Sequence, residues 1–141
     1  MTSDPLLILI PVFNEWDLLG TLLARIDAAL AAAELSADVV FLDDGSTVNH
    51  EGRLKVPELD AVCDVEVLRL ARNLGHQRAI SIGLAWASEN RPGRTVVVMD
   101  GDGEDNPADI PKLVAQYELS QEQRIVFAAR TRRMERWQFQ V

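Results

Sequence analysis

VVVMDGDGEDNP, residues 96–107, carries four apolar residues straight into four carboxylates within six positions: Asp100, Asp102, Glu104 and Asp105. Like charges this close repel one another, and more strongly beside a buried strand than in water. The apolar run reads as a strand over 94–100. The acidic turn that follows needs a cation or a ligand to offset its repulsion.

The same pattern recurs on both sides of this turn. LLILIPV (6–12) is a short apolar run stopped by turn signals, which predicts a buried strand. Asn14 can cap the next helix, with Asp17 near its positive end. Leu18, Leu19, Leu22, Leu23, Ile26 and Leu30 then recur at helical spacing. DVVFLDDGS (38–46) predicts a second buried strand that breaks at Gly45, and DVEVLRL (64–70) a third. Residues 47–62, with Gly52 and Pro57, lack periodicity and read as a loop with an irregular helical turn. HQRAISIGLAWASEN (76–90) is apolar on most sides, which predicts a well-buried helix ended by Arg91, Pro92 and Gly93. A helix over 106–119 starts either with Asn106 as cap before Pro107 or with Asp109 as cap before Pro111. RIVFAA (124–129) predicts a fifth strand.

Strands that alternate with helices and are apolar almost throughout form a parallel sheet covered on both faces, an α/β fold. Ligands of such sheets lie beyond the carboxyl ends of the strands. There stand PVFNE after the first strand, DDGS after the second, ARNLGH after the third and DGDGED after the fourth. Four polar loops therefore converge on one edge.

Composition bounds the function. The 141 residues suit one domain, and 48% hydrophobic residues suffice for a core. A net charge of −8 argues against nucleic acid as a partner. The basic RTRRMER (130–136) reads as a solvated face or tail. The single cysteine, Cys63, excludes a disulfide framework and a cysteine zinc site, which suits a reducing cytoplasm. His50 and His76 are far apart and lie in no metal-ligand spacing. The longest apolar run, LLILI (6–10), is far shorter than the roughly 20 residues that span a bilayer, and the start MTSDP has no basic signal segment.

Asp100 and Asp102 can both reach one hard cation through oxygen, with Gly101 letting the backbone bend and Glu104 as a third donor. Mg²⁺ or Mn²⁺ so held keeps positions open for phosphate oxygens. A lone Asp-x-Asp equally fits a solvated acidic loop. Asp43, Asp44, Asn14 and Glu15 equally fit turn and cap positions, and Trp16, Trp86 and Trp137 read as packing residues. A non-catalytic nucleotide- or metal-binding module is the alternative function. A phosphotransfer enzyme with an aspartate nucleophile is a third, although that class prefers its Asp-x-Asp after the first strand.

Taken together, PVFNE (11–15), DDGS (43–46), RNLGHQRAISIGLA (72–85), VMDGDGEDNP (98–107) and AAR (128–130) resemble the family 2 glycosyltransferases, nearest to the polyprenyl-phosphate sugar transferases such as dolichol-phosphate mannosyltransferase. The resemblance implies a GT-A fold: a Rossmann-like three-layer sandwich with a mostly parallel sheet, here ending after about five strands. It implies a nucleotide-diphospho-sugar donor and a lipid-phosphate acceptor. By position, Pro11, Phe13 and Glu15 would line the nucleotide pocket, and Leu42 and Asp44 would contact base or ribose. Asp100 and Asp102 would hold Mg²⁺ or Mn²⁺, with Gly101 beside the sugar nucleotide and Arg130 near the diphosphate. Glu104 stands where relatives often have glutamine, Phe13 where tyrosine is frequent, and Val48 where aspartate is common.

The family continues past the last strand here, so residues 1–141 are expected to be a single donor-binding domain, inactive alone, with the acceptor half and any general base beyond Val141. A sheet cut there exposes an apolar edge or face, which predicts a homo-oligomer. The cytosolic donor pool implies a cytoplasmic domain, at the cytoplasmic face of a membrane in a longer parent.

Overall fold

The computed structural model describes residues 4–121 and, as backbone, residues 127–131 and 136–140. The order is β1 (Leu6–Val12), α1 (Trp16–Ala32), β2 (Ala37–Asp43), β3 (Val62–Arg69), α2 (His76–Asn90), β4 (Val96–Val98), a 3₁₀ turn (Pro107–Asp109), α3 (Ile110–Leu119), β5 (Phe127–Thr131) and β6 (Arg136–Gln140). The first four strands form a parallel sheet ordered β3-β2-β1-β4, with Leu6↔Ala37 and Leu7↔Val96 in register.

Successive side chains of a strand point to opposite faces. Leu6, Ile8, Ile10 and Val12 of β1 therefore join Ala37, Val39 and Phe41 of β2 on one face, against the Leu19, Leu22, Leu23, Ile26 and Leu30 stripe of α1 and Ile110 and Val114 of α3. Leu7, Leu9, Val40 and Leu42 face the other way, toward Trp86 and Ala87 of α2. The helix stripe and the alternating strand faces meet in three layers. Burying each such Leu or Ile contributes roughly 1.5–3 kcal/mol. Trp16 is fully buried, and its indole N–H donates to the Val48 carbonyl at 2.9 Å.

Polar clamps fix the sheet's remaining freedom. At its amino edge Arg94 donates to the carbonyls of Pro5 and Leu6 and pairs with Asp38 at 2.8 Å, joining β1, β2 and the approach to β4. Asp27 Oδ1, on α1, accepts the backbone N–H groups of Asp60, Ala61 and Val62 at 3.0, 2.7 and 2.9 Å, fixing the start of β3. Burial works to raise the Asp27 pKa, but those three N–H groups outweigh it and hold the carboxyl below its ordinary value.

Several expectations change. Asn14 does not cap α1: Glu15 holds the N-cap position, and Asn14 turns left-handed (φ 62°) to bind another loop. α2 buries only Ala79, Gly83 and Ala87, because among the described residues it is the one helix against that face, and it leaves Ile82 and Leu84 exposed. β3, expected as a third strand, is an edge strand whose Asp64 and Glu66 are exposed. β4 is three residues long. Both helix starts predicted near residue 107 occur in succession: Asn106 Oδ1 accepts from Ala108 N–H to cap the 3₁₀ turn, and α3 follows with Asp109 at its N-cap position. The fifth strand, β5, pairs antiparallel with β6 rather than extending the parallel sheet, since two strands this close in sequence can pair directly and need no crossover. Residues 124–126 of the expected strand lie outside the described residues. Among the described residues no helix is long and apolar enough to cross a membrane.

Two substitutions test this framework. Gly45 has φ 71°, and a Cβ there would meet the Asn73 nitrogen at 2.2 Å. Gly45→Ala is expected to cost roughly 1–3 kcal/mol or more in urea unfolding. Asp27→Asn is expected to lose roughly 1 kcal/mol at neutral pH. Because the folded Asp27 pKa is lowered, that contribution is complete above the unfolded value of about 3.9 and is lost as pH falls through the folded value. The difference between wild type and Asp27→Asn should therefore shrink in acid.

Candidate functional site

The sheet order places β1 beside β4, and the crossovers that leave β1 through α1 and reach β4 through α2 run over opposite faces, which opens a crevice beyond the strand ends. Pro11 contributes to the opening. Backbone groups of Leu7 and Leu9 bond toward β4, to Thr95 O and from Met99 N–H, so the nitrogen of Pro11 points to the same side. Proline has no N–H to offer there. The pairing of β1 with β4 ends at Leu9↔Val98, and the Asp100 N–H turns instead to Asp105 Oδ2 at 2.8 Å.

A cavity of about 520 Å³ occupies this crevice, lined by Pro11, Val12, Phe13, Glu15, Asp44, Asn73, Gly75, His76, Asp100, Gly101 and Asp102. This volume lies in the ordinary range for small-molecule sites.

Its walls are held by a network between loops. Asn14 Oδ1 accepts the N–H groups of Thr47 and Val48, both at 2.9 Å, while the Asn14 N–H donates to Ser46 Oγ at 2.9 Å. Asp43 Oδ1 accepts the Ser46 N–H at 2.9 Å. Asp44 is 5% exposed, and its two carboxylate oxygens accept the N–H groups of Leu74 and Gly75 at 2.8 and 3.1 Å. Asn73 Nδ2 returns a bond to the Asp44 carbonyl at 3.1 Å. The loops after β1, β2 and β3 are thus one hydrogen-bonded unit.

Of the residues singled out in the sequence, the cavity gathers Pro11, Phe13, Glu15, Asp44, Asp100, Gly101 and Asp102. Phe13 is half-exposed at its wall. Leu42 does not line it: the side chain is buried and packs where a Gly83 Cβ would lie. Glu104 is exposed and outside the lining, with its N–H donating to Asp102 Oδ1 at 2.9 Å. Arg130 falls on β5, and its side chain lies outside the described residues. Among the described residues no three His, Cys, Asp or Glu side chains converge as a ready metal cage.

His76, Asn73 and Gly75 escaped the sequence reading as individual site residues. His76 Nε2 lies 3.1 Å from Asp100 Oδ1. The available signal was position: His76 opens the helix that follows the third strand, on the same edge as the acidic turn. Asp100 itself is pushed above the ordinary carboxylate value, first by burial and then by the negative charge of Asp105, Asp102 and Glu104, against a lowering influence from His76.

The profile of Glycosyl transferase family 2 matches residues 7–140. The chain is 30% identical over 132 residues to a dodecaprenyl-phosphate galacturonate synthase of Rhizobium johnstonii, covering 83% of this chain and 35% of that protein. It is 36% identical over 110 residues to an undecaprenyl-phosphate 4-deoxy-4-formamido-L-arabinose transferase of Klebsiella pneumoniae, covering 77% and 32%. The corresponding Pseudomonas fluorescens transferase is 36% identical over 112 residues, covering 79% and 32%. The chain thus spans about a third of the length of these relatives.

The raised Asp100 pKa has a measurable consequence. Above its folded pKa the charged carboxylate opposes folding, and the penalty fades as pH falls through that value. Asp100→Asn is expected to raise the thermal midpoint of the metal-free protein at neutral pH. The two melting curves should converge as pH falls below the unfolded carboxyl value of about 3.9, where Asp100 becomes protonated in both states.

Proposed function

The chain belongs to glycosyl transferase family 2, and from that premise we propose that it forms the donor site of a transferase that moves a sugar from a nucleotide-diphospho-sugar to a polyprenyl phosphate. The observation that carries the donor reading is the one cavity lined by Asp44, Asp100 and Asp102, which follow β2 and β4, the strands on either side of β1. The acceptor class is taken from the relatives, whose names specify dodecaprenyl and undecaprenyl phosphates. Such an acceptor sets the reaction at the cytoplasmic face of a membrane.

The chemistry of the donor set suits a hard divalent cation, Mg²⁺ or Mn²⁺. Asp100 and Asp102 offer carboxylate oxygens to the cavity, and a cation offsets the burial and the carboxylate repulsion that together raise the Asp100 pKa. Bound there, it would offset the charge of the departing nucleotide diphosphate. The chain's own residues position the donor. Pro11 and Phe13 supply an apolar wall. Asp44 fixes the turn at Leu74 and Gly75 through both oxygens while facing the cavity. The amino end of α2 has no side-chain cap, and its positive pole adjoins the space where the diphosphate would lie. Gly101 has Ile10 3.2 Å from the site of a Cβ, so a side chain there would press on the core beneath the cavity floor.

Calorimetry tests the reading. UDP-, GDP- or dTDP-sugars should include one that binds in the presence of Mn²⁺, and Asp102→Asn should weaken that binding by roughly tenfold or more without lowering the thermal midpoint. Binding unaffected by Mn²⁺ and by Asp102→Asn would sink it.

A further inference from the structure

We propose that His76 is a ligand of the cation and sets which cation the site prefers; the inference rests on the reading of a cation-dependent donor site. His76 and Asp100 come from different elements, the start of α2 and the turn after β4, yet both line the cavity. Their facing atoms, Nε2 and Oδ1, are 3.1 Å apart. Two adjacent ligands of an octahedral cation, each at about 2.1 Å and at right angles, stand about 3.0 Å apart. That separation is also an ion-pair distance, so the two atoms contact each other directly here and lie close enough for one ion to take both.

The donors gathered here then include a nitrogen as well as carboxylate oxygens. Among the described residues no three His, Cys, Asp or Glu side chains already converge on one point; His76 and Asp100 are the pair in place, Asp102 lines the same cavity, and the remaining positions fall to water and diphosphate oxygens. Glu104, the residue that the sequence offered as third ligand, is exposed and outside the cavity lining. An imidazole changes the choice of metal. Mg²⁺ favours oxygen donors and gains little from nitrogen, whereas affinity for a mixed nitrogen and oxygen site rises from Mn²⁺ through Co²⁺. A bare ion pair between two partly exposed side chains would contribute little and confer no such preference.

The test titrates the chain with each metal alone, without nucleotide, following free Mn²⁺ by electron paramagnetic resonance and Co²⁺ by its visible absorption. Mg²⁺ is measured by competition against Mn²⁺. Wild type, His76→Ala, His76→Gln and Asp102→Asn are compared. Removing the imidazole is expected to weaken Mn²⁺ and Co²⁺ by roughly tenfold, to leave Mg²⁺ within about twofold, and to alter the Co²⁺ spectrum. His76→Gln, which offers an amide oxygen, should likewise keep Mg²⁺ binding and should not restore the wild-type Co²⁺ spectrum. If Asp102→Asn weakens Mn²⁺ while both His76 variants bind all three metals as wild type does, the inference falls and the donor-site reading stands. If no variant, wild type included, binds Mn²⁺, both fall together.

Discussion

The separation of β1 from β4 at their carboxyl ends is the constraint on which the site depends. Side by side at their amino ends, the two strands share ladder bonds only as far as Leu9↔Val98. Past that point Pro11 offers no donor, and the Asp100 N–H is satisfied by Asp105 within its own turn. Neither strand can zip the other closed. At the opposite edge Arg94 binds the chain at Pro5, Leu6 and Asp38, so the strands are fixed where they meet and free where they part. The crevice is built into the backbone rather than carved by side chains.

A crevice is useful only if its walls hold still. Buried polar groups cost free energy unless their partners are all present. Among the described residues Asp43, Asp44 and Ser46 are the buried polar residues, and each is partnered: Asp43 by the Ser46 N–H of its own turn, Asp44 by the loop after β3 and Ser46 by the loop after β1. Gly45 permits the close approach, since its neighbour Asn73 lies where a side chain would be. Asp44 illustrates the double use of one carboxylate: it adjoins the cavity, yet both its oxygens hold backbone N–H groups of the opposite wall. Its substitution would disturb the shape of the site as well as any contact with a ligand.

The electrostatics follow from the same geometry. The protein is already negative, with a net charge of −8, and it concentrates carboxylates in the turn after β4. Partial burial and the acidic neighbours of Asp100 act in the same direction, against His76 alone. A positive partner at this spot gains from every one of those carboxylates. His76 is placed to answer that demand from the opposite loop, and the amino end of α2 adds the positive pole of its dipole.

The alternation of apolar strands with a leucine-striped helix determined the α/β class, because periods of 2 and 3.6 are local properties of the chain. The polar residues at successive strand ends determined the candidate site, since a parallel sheet puts all those ends on one edge. Thus Glu15, Asp44, Asp100 and Asp102 were legible from position alone and do line one cavity. What local pattern could not determine was which groups meet across loops. Asn14 has the sequence of a helix cap but is drawn away by the N–H groups of Thr47 and Val48. α2 has the composition of a buried helix but faces the sheet on one side only, because no second helix among the described residues shares that face with it. Leu42 follows the site motif in sequence yet points into the core by strand alternation, and His76 shows no metal-ligand spacing yet stands beside Asp100. Those outcomes depend on distances between residues remote in sequence, which only the packed sheet and its crossovers set.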